Sequence, residues 1–296
     1  MPRLALPAAL FLVAAASVVS ADEVSDKQKA AAVENLKKAD LKGYTVVESA
    51  TLILVSPLPE ARAKAVAEGL EKTAKTARKG LQYADKDEAW KGKLTVYHVP
   101  DRRAYGNFLR LVVGERSEAG VVVSVRGDEP LAATGVETNP KATDVDLVGE
   151  IGPAVGAAFL QSKAGPSTPL PPWVSTAYGR AASLRADSPT GKRMTTYKTA
   201  ARPAVLGKGR GPATLAELWA NDRPDAELVA TAFVDYLAFG ADKTTQERFP
   251  RFVSALRPDE NGDTPEPWKA LETAGWKAPE LEAAWRTWAQ KGMLVK

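Results

Sequence analysis

The 296-residue chain contains no cysteine and a single histidine, His98. The first absence excludes a disulfide framework, a thiol nucleophile, a cysteine zinc site and a lipoprotein anchor. The second excludes every mechanism that needs two imidazoles. Charge of one sign is also scarce: 40 Lys and Arg against 36 Asp and Glu leave +4, a surplus too small to imply nucleic-acid binding. Beyond the N-terminus no apolar run reaches membrane-spanning length, and no internal repeat or low-complexity linker divides the chain. What is present is a hydrophobic fraction of 45% with 26% charged residues, the balance of a folded chain with a real core.

Residues 1–21 carry one basic residue, Arg3, then an uncharged run from Leu4 to Val19 and small residues at Val19-Ser20-Ala21 ahead of Asp22. This is the pattern of a cleaved Sec-type signal peptide; a retained membrane anchor is the other reading. The run is interrupted by Pro7 and short for a span of ~20 residues, and a lone arginine does not make a twin-arginine signal. The expectation is a mature chain from Asp22, periplasmic or extracellular, with no membrane span after cleavage.

In residues 22–43, Ser25 to Gln28 fits a capping box and predicts a helix that Gly43 ends. Tyr44–Ser49 and Thr51–Val55 read as a strand pair or one bent strand, and Leu94–Val99 and Val121–Val125 as further strands. Between them, Ala63, Val66, Leu70, Ala74, Ala77 and Leu81 form the apolar stripe of a long helix opened by Pro57 and Pro59. Asp101 is placed to cap a helix whose apolar face is Tyr105, Phe108, Leu109 and Val112. Asp144–Leu160 and Trp173–Leu184 read as helices, 185–212 as polar and basic with weak periodicity, and the remainder as helical. A few strands followed by mostly helices make the class α+β, predominantly helical, with a small sheet.

Leu147-Val148-Gly149-Glu150-Ile151-Gly152-Pro153, followed by Leu170-Pro171-Pro172-Trp173-Val174-Ser175-Thr176-Ala177, resembles the gluzincin-like (peptidase MA-like) zinc peptidases of bacteria. In that family an apolar helix carries HExxH and a later helix begins with a pattern like PPWLxEGxA. The element order agrees over roughly 44–290, and the tail segments Thr214–Leu218, Phe233–Leu237 and Leu281–Trp285 fit it. The resemblance implies a single domain over 44–292: an α/β part at about 44–140, motif helices at about 144–184 and a helical part at about 212–292. It also implies a lost active site. The two histidine ligands fall on Gly149 and Pro153, the third ligand on Thr176, and only the general base, Glu150, is kept. Pro153 inside a helix removes a backbone bond to the Gly149 carbonyl, so the helix is either kinked at Gly152-Pro153 or begins there. The implied protein is a degenerate peptidase with no zinc and no other cofactor, which binds an unknown protein or envelope polymer. The alternative is a hydrolase with an unorthodox site involving Glu150 and His98.

Other signals are weaker. His98, at the end of an apolar strand, reads as structural, and no serine lies in a GxSxG elbow. Asp144, Asp146 and Glu150 read as acids favoured at a helix N-terminus rather than as a Ca²⁺ or Mg²⁺ loop. Gly207-Lys208-Gly209-Arg210-Gly211 lacks P-loop spacing and reads as a basic turn. Arg185, Lys192, Arg193, Lys198, Arg202, Lys208 and Arg210, against the single acid Asp187, read either as a solvated surface loop or as a contact for envelope polyanions. Trp268, Trp276, Trp285 and Trp288 are spaced for core packing rather than for a carbohydrate platform.

Overall fold

The computed structural model describes residues 21–127, 129–137, 139, 141–208, 211–220, 223–240 and 242–293. Residues 1–20 of the expected export segment, together with Arg210, lie outside the described residues. The architecture is α+β and predominantly helical. Five strands, β1 (Thr45–Glu48), β2 (Leu52–Ser56), β3 (Leu94–His98), β4 (Val121–Ser124) and β5 (Leu131–Thr134), form one mixed sheet in the order β1-β2-β3-β5-β4. The inner pairs β2–β3 and β3–β5 are parallel; the edge strands β1 and β4 pair antiparallel. The fifth strand is absent from the sequence reading, and it is what places β4 at the edge.

Every residue of β2 and β3 is buried, because side chains alternate between two covered faces. Leu52, Leu54, Leu94, Val96 and Ala132 face a layer made by α2 (Glu60–Gly80) and α4 (Asp144–Ala164). Ile53, Val55, Tyr97 and Ala133 face α1 (Ala21–Lys38), α3 (Arg102–Phe108) and the π-helical turn Leu109–Val113. Asp101 caps α3, its carboxylate accepting from the Ala104 N–H at 2.7 Å. Ser25 does not begin α1. It is buried inside that helix, where its hydroxyl donates to Glu48 on β1, and Glu48 also meets Lys29 and Lys93.

Beyond the α2–α4 layer lie α5 (Pro172–Ala186), α6 (Lys192–Leu206), α7 (Leu215–Ala220), α8 (Ala226–Asp235), the π-helical turn Tyr236–Gly240, α9 (Lys243–Ala255), α10 (Pro267–Thr273) and α11 (Ala278–Gly292). The stretch 185–212, polar and basic with weak periodicity in the sequence, contains a helix, α6, which buries Met194, Tyr197, Ala201 and Val205. Among the tryptophans expected in the core, Trp276 and Trp285 are buried and Trp288 is partly so, but Trp268 is exposed. Among the described residues no helix is long and apolar enough to cross a membrane.

Candidate functional site

The helix α4 starts where its sequence specifies. Thr143 and Asp146 form a reciprocal capping box, with Asp146 N–H to Thr143 Oγ1 at 3.2 Å and Thr143 N–H to the Asp146 carboxylate at 2.9 Å. Asp144 pairs with Arg62 at 2.8 Å. Asp144 and Asp146 therefore serve the helix start while Glu150 lies further along, and α4 continues through Pro153 rather than beginning there.

A cavity of about 1120 Å³ opens between the edge strand β4, the middle of α4, the first turns of α5 and the start of α8. The positions singled out on the two motif helices all line it: Gly149, Glu150, Pro153 and Thr176. Val121 and Val123 of β4 form the opposite wall. Arg180, Arg193 and Arg223 also line it, and each is tied to carboxylates: Arg180 to Glu227 at 2.6 Å, Arg193 to Asp187 at 2.6 Å, and Arg223 to Asp225 at 2.8 Å and Glu217 at 3.2 Å.

Arg193 explains how α4 tolerates its proline. Pro153 has no N–H to give the Gly149 carbonyl, which would otherwise accept the bond from four residues on. Arg193 Nη2 donates to that carbonyl instead, at 3.3 Å, and to Ser183 Oγ at 3.2 Å. The guanidinium lies directly over Gly149, where a Cβ would collide with it. The missing side chain at 149, the missing N–H at 153 and the arginine on α6 therefore fit one another. The Arg193 guanidinium thus occupies the space that a side chain at 149 would enter.

Glu150 is half-buried, and its Oε2 is buried with no hydrogen-bond partner among the described residues. Burial pushes its carboxyl above the usual range, the like charge of Asp146 adds to this, and Arg193 pulls the other way. Thr176 offers a hydroxyl from α5. His98 is not in this cavity. It is buried on β3, with Nδ1 3.0 Å from Ser56 Oγ, and burial pushes its imidazole down to about 4 while a hydrogen bond with the Val136 backbone opposes this. Since His98 is the only histidine, no imidazole lines the cleft beside Glu150.

A zinc ion of the kind held by the peptidases that the motif resembles does not fit these residues. Gly149 and Pro153 supply no donor atom and Thr176 only a neutral hydroxyl, leaving Glu150 as the one carboxylate of the set, whereas a catalytic zinc needs three ligands from His, Asp, Glu or Cys. Among the described residues no three such side chains gather closely enough to hold a metal ion.

The structure places the basic residues of 185–208 in different surroundings. Arg185 forms a two-pronged pair with buried Asp235 at 2.6 and 3.0 Å, which the Tyr197 hydroxyl joins at 3.2 Å, so it locks α5 to α8 rather than facing solvent. Arg193 turns into the cleft. Lys198 and Arg202 are half-buried on α6, leaving Lys192 and Lys208 as the exposed members among the described residues. The sequence reading missed Arg193 as part of the site. The available signal was the carbonyl that Pro153 leaves without a donor; which residue answers it depends on the packing of α6. No family model and no curated protein matches the chain.

Proposed function

We propose that this chain is a non-catalytic binding protein on a zinc-peptidase-like frame, and that the cleft between β4 and α4 receives an extended segment of a protein or envelope polymer. The observation that carries the reading is the Arg193 guanidinium over Gly149. Losing a ligand leaves a hole; here the hole is filled, and the filling group is hydrogen-bonded to the backbone that Pro153 exposes. The cleft nevertheless stays open along an edge strand whose outer backbone groups pair with no strand among the described residues, the arrangement that accepts an added strand. The place of action, on the pattern of residues 1–21, is the envelope or the extracellular space.

Purified mature protein is assayed against fluorescein-labelled hexapeptides of mixed sequence, with and without added zinc. Binding without hydrolysis is expected, with slowed hydrogen exchange at the Val121–Ser124 amides and the same result for Glu150→Gln. Chelator-sensitive cleavage that Glu150→Gln abolishes would overturn the reading. The ancestry of the frame is tested separately by restoring Gly149→His, Pro153→His and Thr176→Glu. That triple variant still meets Arg193, so stoichiometric zinc is expected only when Arg193→Ala is added; no zinc in the quadruple variant counts against the peptidase-like frame.

A further inference from the structure

At the Thr176 end, the cleft adjoins a second, smaller cavity of about 390 Å³, and Thr176 and Glu227 line both. Its walls carry two half-buried indoles, Trp173 at the start of α5 and Trp219 on α7, with Ala177 and Ala230 beside them. Two carboxylates complete it. Glu227 is 70% exposed and pairs with Arg180, and Glu266, ahead of α10, is exposed with no ion pair among the described residues. The solvent exposure of both acids places them at the mouth, above the apolar walls.

We infer that the Trp173–Trp219 slot is a recognition pocket for one basic side chain, lysine or arginine, of the segment that occupies the main cleft. Its position beside the cleft rests on the function proposed above; its chemistry does not. The volume lies near the lower end of ligand pockets, roughly 300–1000 Å³, which suits a single long side chain rather than a structural element. Lysine and arginine carry an apolar stem that covers indole and alanine surface and a cationic head that stays near water. The head meets Glu266, whose charge has no ion-pair partner among the described residues, and Glu227, whose partner Arg180 is partly exposed. A purely aliphatic side chain would fill the walls but leave Glu266 unanswered, and an acidic one would be repelled at the mouth.

The slot is tested first with fragments, on the full mature protein. n-Butylguanidinium, n-butanol and butyrate are titrated while the indole Nε1–H signals are followed by NMR, with Trp173→Phe and Trp219→Phe assigning two of them. Butylguanidinium should shift both signals at about fivefold lower concentration than butanol, as one partly exposed charge pair allows, and butyrate should shift neither. Glu266→Gln, at an exposed position that leaves the fold intact, should bring butylguanidinium closer to the level of butanol and leave butanol unchanged. Equal shifts by all three fragments, or none, would overturn the inference. Labelled hexapeptides with arginine, norleucine or glutamate at one position then separate the two proposals. Fragment selectivity without peptide binding keeps the slot and rejects the cleft as a binding groove. Peptide binding indifferent to the substitution keeps the groove and rejects the slot.

Discussion

An imidazole sealed into a sheet has its protonation state decided by the fold. His98 sits on the central strand beside Ser56, 1% exposed, and its value near 4 against 6.5 in an unfolded chain means that the unfolded state takes up the proton first. Its contribution is therefore fully present above pH 6.5 and is lost as pH falls toward 4, a change of about 3 kcal/mol across that window. Because the chain has one histidine, its ring protons give one titration curve, whose midpoint is expected near pH 4. Urea unfolding at intervals between pH 7 and 4 should show wild-type stability declining more steeply than that of His98→Gln. Parallel curves for the two proteins would mean that the buried imidazole is not the group responsible. The same residue scale contains the exchange at the cleft, where Gly149, Pro153 and Arg193 each look costly alone and are consistent together.

Helices α4 and α5 cross at a point where neither has side-chain bulk. A Cβ at Gly179 would fall on the Pro153 carbonyl oxygen, and one at Gly156 would lie 2.8 Å from the Gly179 Cα. Both obstacles are backbone, so the helices would have to separate, and separating them opens the floor of the cleft. Gly179→Ala is expected to cost about 3 kcal/mol or more in thermal or urea unfolding, at the upper end of overpacking penalties. Gly106→Ala, in open space on α3, should instead be neutral or stabilise by about 0.5–1 kcal/mol through helix propensity. A Gly179→Ala protein as stable as wild type would show that the close crossing is not what holds the pair. At this scale the sequence was readable wherever pattern and local signals coincided. The runs of Val, Ile and Leu in β2 and β3, the stripe of α2 and the Asp101 cap all did. β5 was not readable, because Leu131-Ala132-Ala133-Thr134 is short and half alanine and gains its order from β3 and β4 on either side. α6 was obscured by β-branched Thr195, Thr196 and Thr199 and by Pro203, and its helix rests on burial of the opposite face. The motif positions on α4 and α5, which line one cavity, were brought together in the sequence only by the resemblance to a known motif pair. The Trp173–Trp219 slot and the role of Arg193 were not readable, because they join residues more than 40 positions apart.

For the whole molecule, the question is what holds the helical tail to the sheet layers across the cleft. A single apolar core runs from β2 through α2 and α4 to α5, α8 and α11 without a break, so the tail is a continuation of the core rather than an attached module. Its outermost helix, α11, is anchored by Trp285, wholly buried and edge-on to Phe233 at 5.1 Å, and by Trp288 against Tyr236 at 5.5 Å. Polar ties reinforce it: the Glu282 carboxylate accepts from the Leu215 N–H at 2.8 Å, and Arg286 donates to the Ala213 carbonyl at 3.0 Å. Those two bonds hold the start of α7, which carries Trp219, and Phe233 belongs to α8, which borders both cavities. Loss of α11 would therefore loosen the walls of the slot and the cleft as well as the C-terminus. Trp285→Ala should cost about 3–5 kcal/mol, the range for emptying a tryptophan-sized site. A chain ending at Gly275 should lose its cooperative transition in calorimetry, while the full mature chain melts in one step. Because β2 and β3 belong to the same core, strand amides should lose hydrogen-exchange protection in the shortened chain together with those of α8. Retained protection in the strands, with loss confined to α7 and α8, would instead define the C-terminal helices as a separate folding unit.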